Sequence, residues 1–292
     1  VTDFIQQVVN GLGAGGQYAL WAVGYGLVYQ VLGLMHFAHG DTLIFATFVC
    51  YALLTAGVPF IPALILAMAV GAAVSVMIEK GVYRPLYARG HLFLAFVGAL
   101  GAAYVLRNID MLTWGVQTKV FPYSFSAGNI DLGGVTIPAM TLLNLGCAIG
   151  VIVAFELFLA KTRYGQAIVA LAQDRGAAAL MGIKVGTVVA LVYALSGAIG
   201  VLGSVLYVSE THTIQISLGF TITLKAFIAA IIGGIGSVRG ALSGGLVLGV
   251  TEALIQGYIS TLMVDAILFA ILITFLIIRP TGIGGRADLA RL

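Results

Sequence analysis

The stretch Thr187–Val208, TVVALVYALSGAIGVLGSVLYV, decides the fold. It carries no charged residue and is long enough to cross a bilayer core as a helix, which takes about 20 apolar residues. Working outward, similar apolar segments recur at roughly 12–34, 40–57, 60–80, 92–114, 141–160, 221–237, 240–259 and 262–279. Hydrophobic residues make up 61% of the 292-residue chain and charged residues 9%, with a mean hydropathy of +1.10. A soluble domain carries about 25% charge. The composition therefore excludes a soluble enzyme, a nucleic-acid binder and a disordered chain. It predicts an all-α, polytopic helical integral membrane protein with eight or nine transmembrane segments. The segments at 221–237 and 240–259 are short and Gly-rich, and they also fit a re-entrant pair. A barrel would need alternating strands of about ten residues, which the long unbroken runs contradict. Helices satisfy their own backbone in lipid.

The six prolines, Pro59, Pro62, Pro85, Pro122, Pro138 and Pro280, all fall at segment ends or in loops, where a helix stops or starts. Cys50 and Cys147 sit in apolar runs and are expected to be free thiols. The first basic residue is Lys80, so no basic leader and no cleavable signal peptide is expected.

Lysine and arginine set the orientation. Nine crossings place Lys80, Arg84, Arg89, Lys161, Arg163, Arg175, Lys184, Arg239, Arg279, Arg286 and Arg291 on one side. That is eleven of the fourteen basic residues. Arg107, Lys119 and Lys225 remain elsewhere. The basic side is read as cytoplasmic, and the loops at 116–140 and 209–220 as external.

Thirty-nine glycines exceed what helix propensity favours. Gly240/Gly244 and Gly245/Gly249 are G-x-x-x-G pairs, read as close helix packing or as breaks along a substrate path. Gly11-Leu-Gly13-Ala-Gly15-Gly16 matches a dinucleotide fingerprint, but no strand precedes it. No P-loop is present, so ATP hydrolysis is not expected of this chain. His36, Phe37, His39 and Asp41 make a polar interruption between two apolar segments. Two histidines at i, i+3 are too few for a metal site, so a helix cap at the cytoplasmic face or a gate is expected. No catalytic residue and no metal ligand set is identified.

Arg107 and Asp110, at i, i+3, are placed to pair locally. Glu156 is placed to snorkel to the inner surface. Lys225, Glu252 and Asp265 are intramembrane ionisable residues, and such residues either pair or line a pathway. Lys225 is expected to pair with Glu252 or Asp265. The glycines Gly233, Gly234 and Gly236 lie between Lys225 and Glu252 in sequence and are candidate path elements with them. The stretch 161–186 is polar, Ala-rich and helical in pattern, with Ile168, Leu171 and Ala172 on one face and a stop at Gly182. It reads either as a connecting helix or as a docking helix for a cytoplasmic partner.

The chain resembles the permease subunits of bacterial ABC importers for branched-chain amino acids, the Liv type. Five blocks in order carry the resemblance. They are QQVVNGLGAGGQYALWAVGYGLVYQVLGLMHFAHGD at 6–41, EKGVYRPL at 79–86, AAALMGIKVG at 177–186, LKAFIAAIIGGIGSVRGALSGGLVLGVTEALI at 224–255 and RPTGIGG at 279–285. The resemblance implies one permease domain spanning 1–292, with a cytoplasmic coupling loop at 161–186. It implies four kinds of neighbour: a second homologous permease, two cytoplasmic ATPases, a periplasmic substrate-binding protein and the lipid bilayer of the bacterial inner membrane. Nucleic acid is not among the expected partners. No cofactor is expected on this chain, since ATP and Mg would sit on the ATPases. The coupling helix would fall at 166–182, with Gln166, Asp174, Arg175, Ala178 and Gly182. The family often has Asn where this chain has His36. Urea, amides and small aromatic acids therefore remain alternative substrates to branched-chain amino acids. An ion-coupled secondary transporter or channel is the rival, and it would show coupling-ion residues and a weak internal symmetry.

The charge asymmetry makes a direct prediction. With Cys50 and Cys147 removed, a cysteine at position 175 is expected to react with an impermeant thiol reagent only from the cytoplasmic side. Labelling from the outside would invert the topology.

Overall fold

The computed structural model describes residues 2–33, 35–87, 92–123, 128–132, 134–234, 236–279 and 281–284. Arg89, Pro280, Arg286 and Arg291, and Gly285 at the end of the last matched block, lie outside the described residues. The elements run α1 (Thr2–Leu32), α2 (His39–Thr55), α3 (Phe60–Ile78), a π-helical turn (Glu79–Tyr83), α4 (Arg84–Tyr87) and α5 (Leu92–Trp114). Strands β1 (Lys119–Val120), β2 (Ile130–Leu132) and β3 (Val135–Ile137) follow, then α6 (Ala139–Lys161), α7 (Arg163–Gln173), α8 (Arg175–Leu180) and α9 (Val185–Thr211). The chain closes with β4 (Thr213–Ile214), α10 (Leu218–Gly233), α11 (Val238–Tyr258) and α12 (Val264–Ile278).

The protein is a helical membrane protein. Among the described residues, five helices or helix runs are long and apolar enough to cross a membrane: Phe60–Tyr87, Phe93–Trp114, Ala139–Lys161, Val185–Thr211 and Val238–Tyr258. Three shorter apolar helices, α2, α10 and α12, accompany them. The apolar segments read from sequence meet the observed helices within a few residues, except at the start of α1. That helix begins ten residues before its apolar part, because its first turns carry Asp3, Gln6, Gln7 and Asn10 and have no hydropathy signal. The 221–237 and 240–259 segments form two helices, α10 and α11, packed against each other.

The basic segments collect at one end. Arg175 Nε donates to the carbonyl of Val31 at the end of α1 (2.8 Å). Arg84 Nη2 donates to the carbonyl of Gly186 at the start of α9 (2.7 Å). Arg239 at the start of α11 pairs with Glu156 near the end of α6 (2.7 Å). The opposite end holds the β2–β3 hairpin, whose Thr136 exchanges hydrogen bonds with Gln6 of α1. There too β1 pairs with β4 in antiparallel register, Lys119 opposite Ile214.

Glycines set the packing of α1. A Cβ on Gly15 would lie 2.8 Å from Leu246 Cα of α11, and one on Gly11 would lie 2.5 Å from Val250 Cα. A Cβ on Gly13 or Gly16 would instead meet Thr141 or Asn144 of α6. The sequence that mimicked a dinucleotide loop is thus the part of one helix that two neighbours approach closely. Gly245 and Gly249 face α1 in the same seam, while Gly240 and Gly244 face Gly233 and Ala229 of α10. Close approach of small residues replaces the hydrophobic driving force that lipid removes.

The chain also repeats itself in backbone. The end of α1 at Leu32 matches the end of α9 at Thr211, and the start of α2 at His39 matches the start of α10 at Leu218. Phe60 of α3 matches Val238 of α11 in the same way. The left-handed residues match too: Gly33 (φ 66°) with His212 (φ 56°), and Gly57 (φ 87°) with Gly236 (φ 87°). Since α1 ends at the basic face and α9 begins there, the two halves run in opposite directions. Inverted repeats of this kind are common in transporter folds. The symmetry expected of the rival transporter is therefore present, and it does not separate the two readings.

Gly15→Val is expected to lower the thermal midpoint of the purified protein, because a backbone clash costs about 1–3 kcal/mol or more. Gly26→Ala is expected to be neutral or stabilising, since nothing lies within 4 Å of its added methyl. Thermal unfolding in detergent checks both.

Candidate functional site

The polar interruption at His36–Asp41 is buried. His36, His39 and Asp41 are 1%, 1% and 3% exposed. The expected cap at the cytoplasmic face is corrected on two counts. The stretch lies inside the bundle, and α2 starts at His39 with Ala38 in the cap position and no side-chain cap among the described residues. Instead α2 opens against the first turns of α10. The Gly40 amide donates to Thr223 Oγ1 (2.9 Å), and a Cβ on Gly219 would lie 2.6 Å from Asp41 Oδ1. Two helix starts therefore meet inside the protein, each with a positive dipole end. The Asp41 carboxylate sits between them, and Phe37 packs edge-on against Phe96 of α5.

Asp41 has a partner that local spacing did not reveal. Arg107 of α5 donates to it from Nε (3.2 Å) and Nη2 (3.0 and 3.2 Å). The Arg107–Asp110 pair expected at i, i+3 does not form. Asp110 is 1% exposed and its Oδ1 has no hydrogen-bond partner.

Beneath the α1–α2 link lies an aromatic and histidine cluster. His36 Nδ1 hydrogen-bonds Tyr83 Oη (2.7 Å), and its ring stands edge-on to Tyr193 at 5.2 Å. His36 and His39 are 5.6 Å apart between ring centroids. The Nε2 atoms of both histidines and Tyr193 Oη lack protein partners. Tyr83 belongs to the π-helical turn, a feature that clusters at functional sites. In that same turn the fully buried Glu79 receives a forked bond from Arg84 (2.9 and 2.8 Å) and a third from Tyr87.

Lys225 pairs with Glu252 at 2.7 Å, joining α10 to α11, and also donates to Tyr18 of α1 (3.1 Å). Gln256 adds a second donor to Glu252. Of the two partners anticipated for Lys225, Glu252 is the one; Asp265 is exposed. Gly233 packs against Gly240, and the C-terminal Ile283 and Gly284 amides bond the carbonyls of Ile232 and Gly233. Gly234 and Gly236 have φ 96° and 87°, which favour glycine. A second polar knot was not anticipated: Glu210 of α9 accepts from Gln17 and from Asn144 (2.8 Å).

The 161–186 stretch holds two helices, α7 and α8, rather than one. Asp174 breaks it, and its Oδ1 caps α8 by accepting from the Ala177 amide (2.9 Å). Thr162 caps α7 in the same manner. Ile168 and Leu171 are buried as the periodicity predicts, and Gly165 seats α7 on the Phe158–Leu159 backbone of α6. Gln166 and Asp174 are exposed, Ala178 is buried, and Gly182 ends the unit with φ 84°. Arg175 faces inward to α1, and burial pulls its guanidinium below the ordinary arginine value. Leu180 and Met181, 90% and 83% exposed, form an apolar tip that the sequence reading passed over.

Residues 7–276 match the family described as the branched-chain amino acid transport system permease component. The chain is 33% identical to the high-affinity branched-chain amino acid transport system permease protein BraD of Pseudomonas aeruginosa, over all of this chain and 99% of the relative. It is 34% identical to the corresponding protein LivH of Escherichia coli, over 99% of this chain and 97% of that one. Among solved structures, PsaBC from Streptococcus pneumoniae in complex with Fab shares the fold, with a TM-score of 0.51 at 13% identity. That likeness covers 99% of this chain and 95% of the other.

Breaking the buried pair has a sign. Lys225→Met leaves Glu252 without its cation and is expected to cost about 3–5 kcal/mol. The double variant Lys225→Met/Glu252→Gln is expected to recover most of it, as read by thermal unfolding. A double variant as unstable as the single would show that the charge itself is needed.

Proposed function

The chain belongs to the family of branched-chain amino acid transport system permease components, and from that premise we propose that it is one membrane subunit of an ATP-driven importer. Its cargo is branched-chain or related hydrophobic amino acids, and its setting is the bacterial inner membrane, crossed eight or nine times. The partners are a second homologous permease, two cytoplasmic ATPases carrying ATP and Mg, and a periplasmic binding protein. This chain carries no covalent chemistry and binds no cofactor. The observation that supports the reading most is the match to named permeases along the whole chain.

The geometry supports a mechanical role for α7 and α8. Their tip, Leu180–Met181, offers exposed apolar side chains beside a left-handed stop at Gly182. Their root is fastened to the end of α1 through Arg175 and to α6 through Gly165. Force applied at the tip by a closing ATPase would reach the end of α1, and from there the link that starts α2. Different affinities of the ATPases for ATP in two states supply the energy. The ion-coupled reading is the weaker one, because its candidates Lys225 and Glu252 pair with each other and Asp265 is exposed.

The test is reconstitution with the partner subunits and binding protein in proteoliposomes. ATP-dependent leucine uptake is expected, with no competition from urea, amides or small aromatic acids. Leu180→Asp/Met181→Asp, and separately Gly182→Val, are expected to cut uptake and substrate-stimulated ATP hydrolysis about tenfold, the effect of ~1.4 kcal/mol of lost docking energy. Membrane insertion should not change. Full coupling in the tip variant would remove α8 from the ATPase contact.

A further inference from the structure

The Asp41–Arg107–Asp110 cluster has no role in the account so far, and its surroundings point to a ligand. α5 carries Arg107 at a place where its side chain is 24% exposed, while Tyr104, 61% exposed, and the exposed Asn108 flank it at helical spacing. A guanidinium facing lipid would be costly, and the Asn108 carboxamide meets its own cost only in part by donating to the Tyr104 carbonyl (2.7 Å). This face therefore meets water or another protein. Arg107 spends Nε and Nη2 on Asp41 and lies over the Tyr104 ring at 5.5 Å. Among the described residues, no acceptor is recorded for its Nη1. The second carboxyl, Asp110, stands one turn along the same helix, 1% exposed, with its buried Oδ1 unpartnered among the described residues. Arg107 thus pairs with Asp41 alone, and Asp110 has no cation of its own among the described residues.

We infer that this cluster is a relay site for a zwitterionic amino acid, a reading that rests on the function proposed above. The free edge of Arg107 accepts the substrate α-carboxylate as a forked ligand, the geometry in which arginine binds carboxylates best. Asp41, released from Arg107, then accepts the α-ammonium, with the unpartnered Asp110 beside it as a further acceptor. The site gains both ion pairs only from a molecule bearing both charges. The exchange also loosens α5 from the start of α2, because Arg107 is the side chain that ties Asp41 to α5. The Gly40–Thr223 bond holds α2 on α10 meanwhile. Recognition and opening are thereby the same event.

The test uses the complete reconstituted importer with Cys50→Ser, Cys147→Ser and Asn108→Cys. An impermeant thiol reagent is expected to label position 108. Leucine in the presence of ATP is expected to slow labelling about tenfold, whereas leucinamide and isoamylamine, which lack the carboxylate, leave it unchanged. Asp41→Asn/Arg107→Gln, which removes the charges as a pair, is expected to abolish protection and substrate-stimulated ATP hydrolysis while co-purification with the partners persists. If that variant fails to assemble, Arg107→Lys decides: it keeps the charge but loses the fork, and protection should weaken. No labelling in any state overturns the inference, as does equal protection by the amide. Wild-type transport in the double variant also overturns it. Each of these failures leaves leucine uptake by the unmodified complex intact, whereas loss of that uptake would overturn the proposed function itself.

Discussion

Everything in this bundle depends on two helices that begin inside it. A helix start leaves four amides without intrahelical partners, and lipid offers none. Here α2 and α10 solve the problem against each other. Gly40 and Gly219 let the two first turns approach, Thr223 takes one amide, and Asp41 places a negative charge beside both positive dipole ends. Arg107 then keeps that carboxylate from being an isolated buried charge. Replacing either glycine by a larger residue would push the helix starts apart and strand their amides.

Around this junction the long helices act as walls. α1 is held by glycine seams to α11 on one side and to α6 on the other. α9 packs on α3 through Gly197 and Gly71 in the same way. Half of the apolar window of α9 and of α11 is buried, against 22% for α6, so the first two are central and α6 is peripheral. Apolar residues on α3, α6 and α12 such as Ile65, Val153 and Ile277 stay exposed. Those faces suit lipid or a second permease, and the fold does not need them for its own core.

The sequence made the helices legible and their meeting points much less so. Hydropathy marked 92–114 with the bounds that α5 has, because both ends coincide with loss of apolar residues. It missed the first ten residues of α1, where the helix outruns the membrane signal. Lys225 and Glu252 were readable as partners because few charges compete for them in the apolar segments. Asp41 and Arg107 were not, since the local i, i+3 rule favoured Asp110 and the true contact spans 66 residues of chain. Asp174 before Arg-Gly-Ala was a cap signal in plain view, and reading 161–186 as one helix overlooked it. The inverted repeat left few marks in sequence beyond Gly40/Gly219 and Gly57/Gly236, because its content is backbone conformation rather than side chains.

The repeat is nonetheless unequal where it matters. The link 212–217 is pinned, since Thr213 and Ile214 pair with β1 and the Phe121 amide bonds the His212 carbonyl. The matching link after α1 has no such ladder among the described residues. It holds instead the buried His36, which with His39 at the start of α2 and Tyr193 of α9 leaves hydrogen-bonding groups unmet among the described residues, next to a π-helical turn. Unmet buried polar groups cost stability, and π turns recur at functional sites. The Arg175 contact fastens α8 to the end of α1, at the threshold of this link. Of the two matching links, one is pinned by a strand pair and, among the described residues, the other is not. If the coupling we propose runs through Arg175, the start of α2 is where it would arrive.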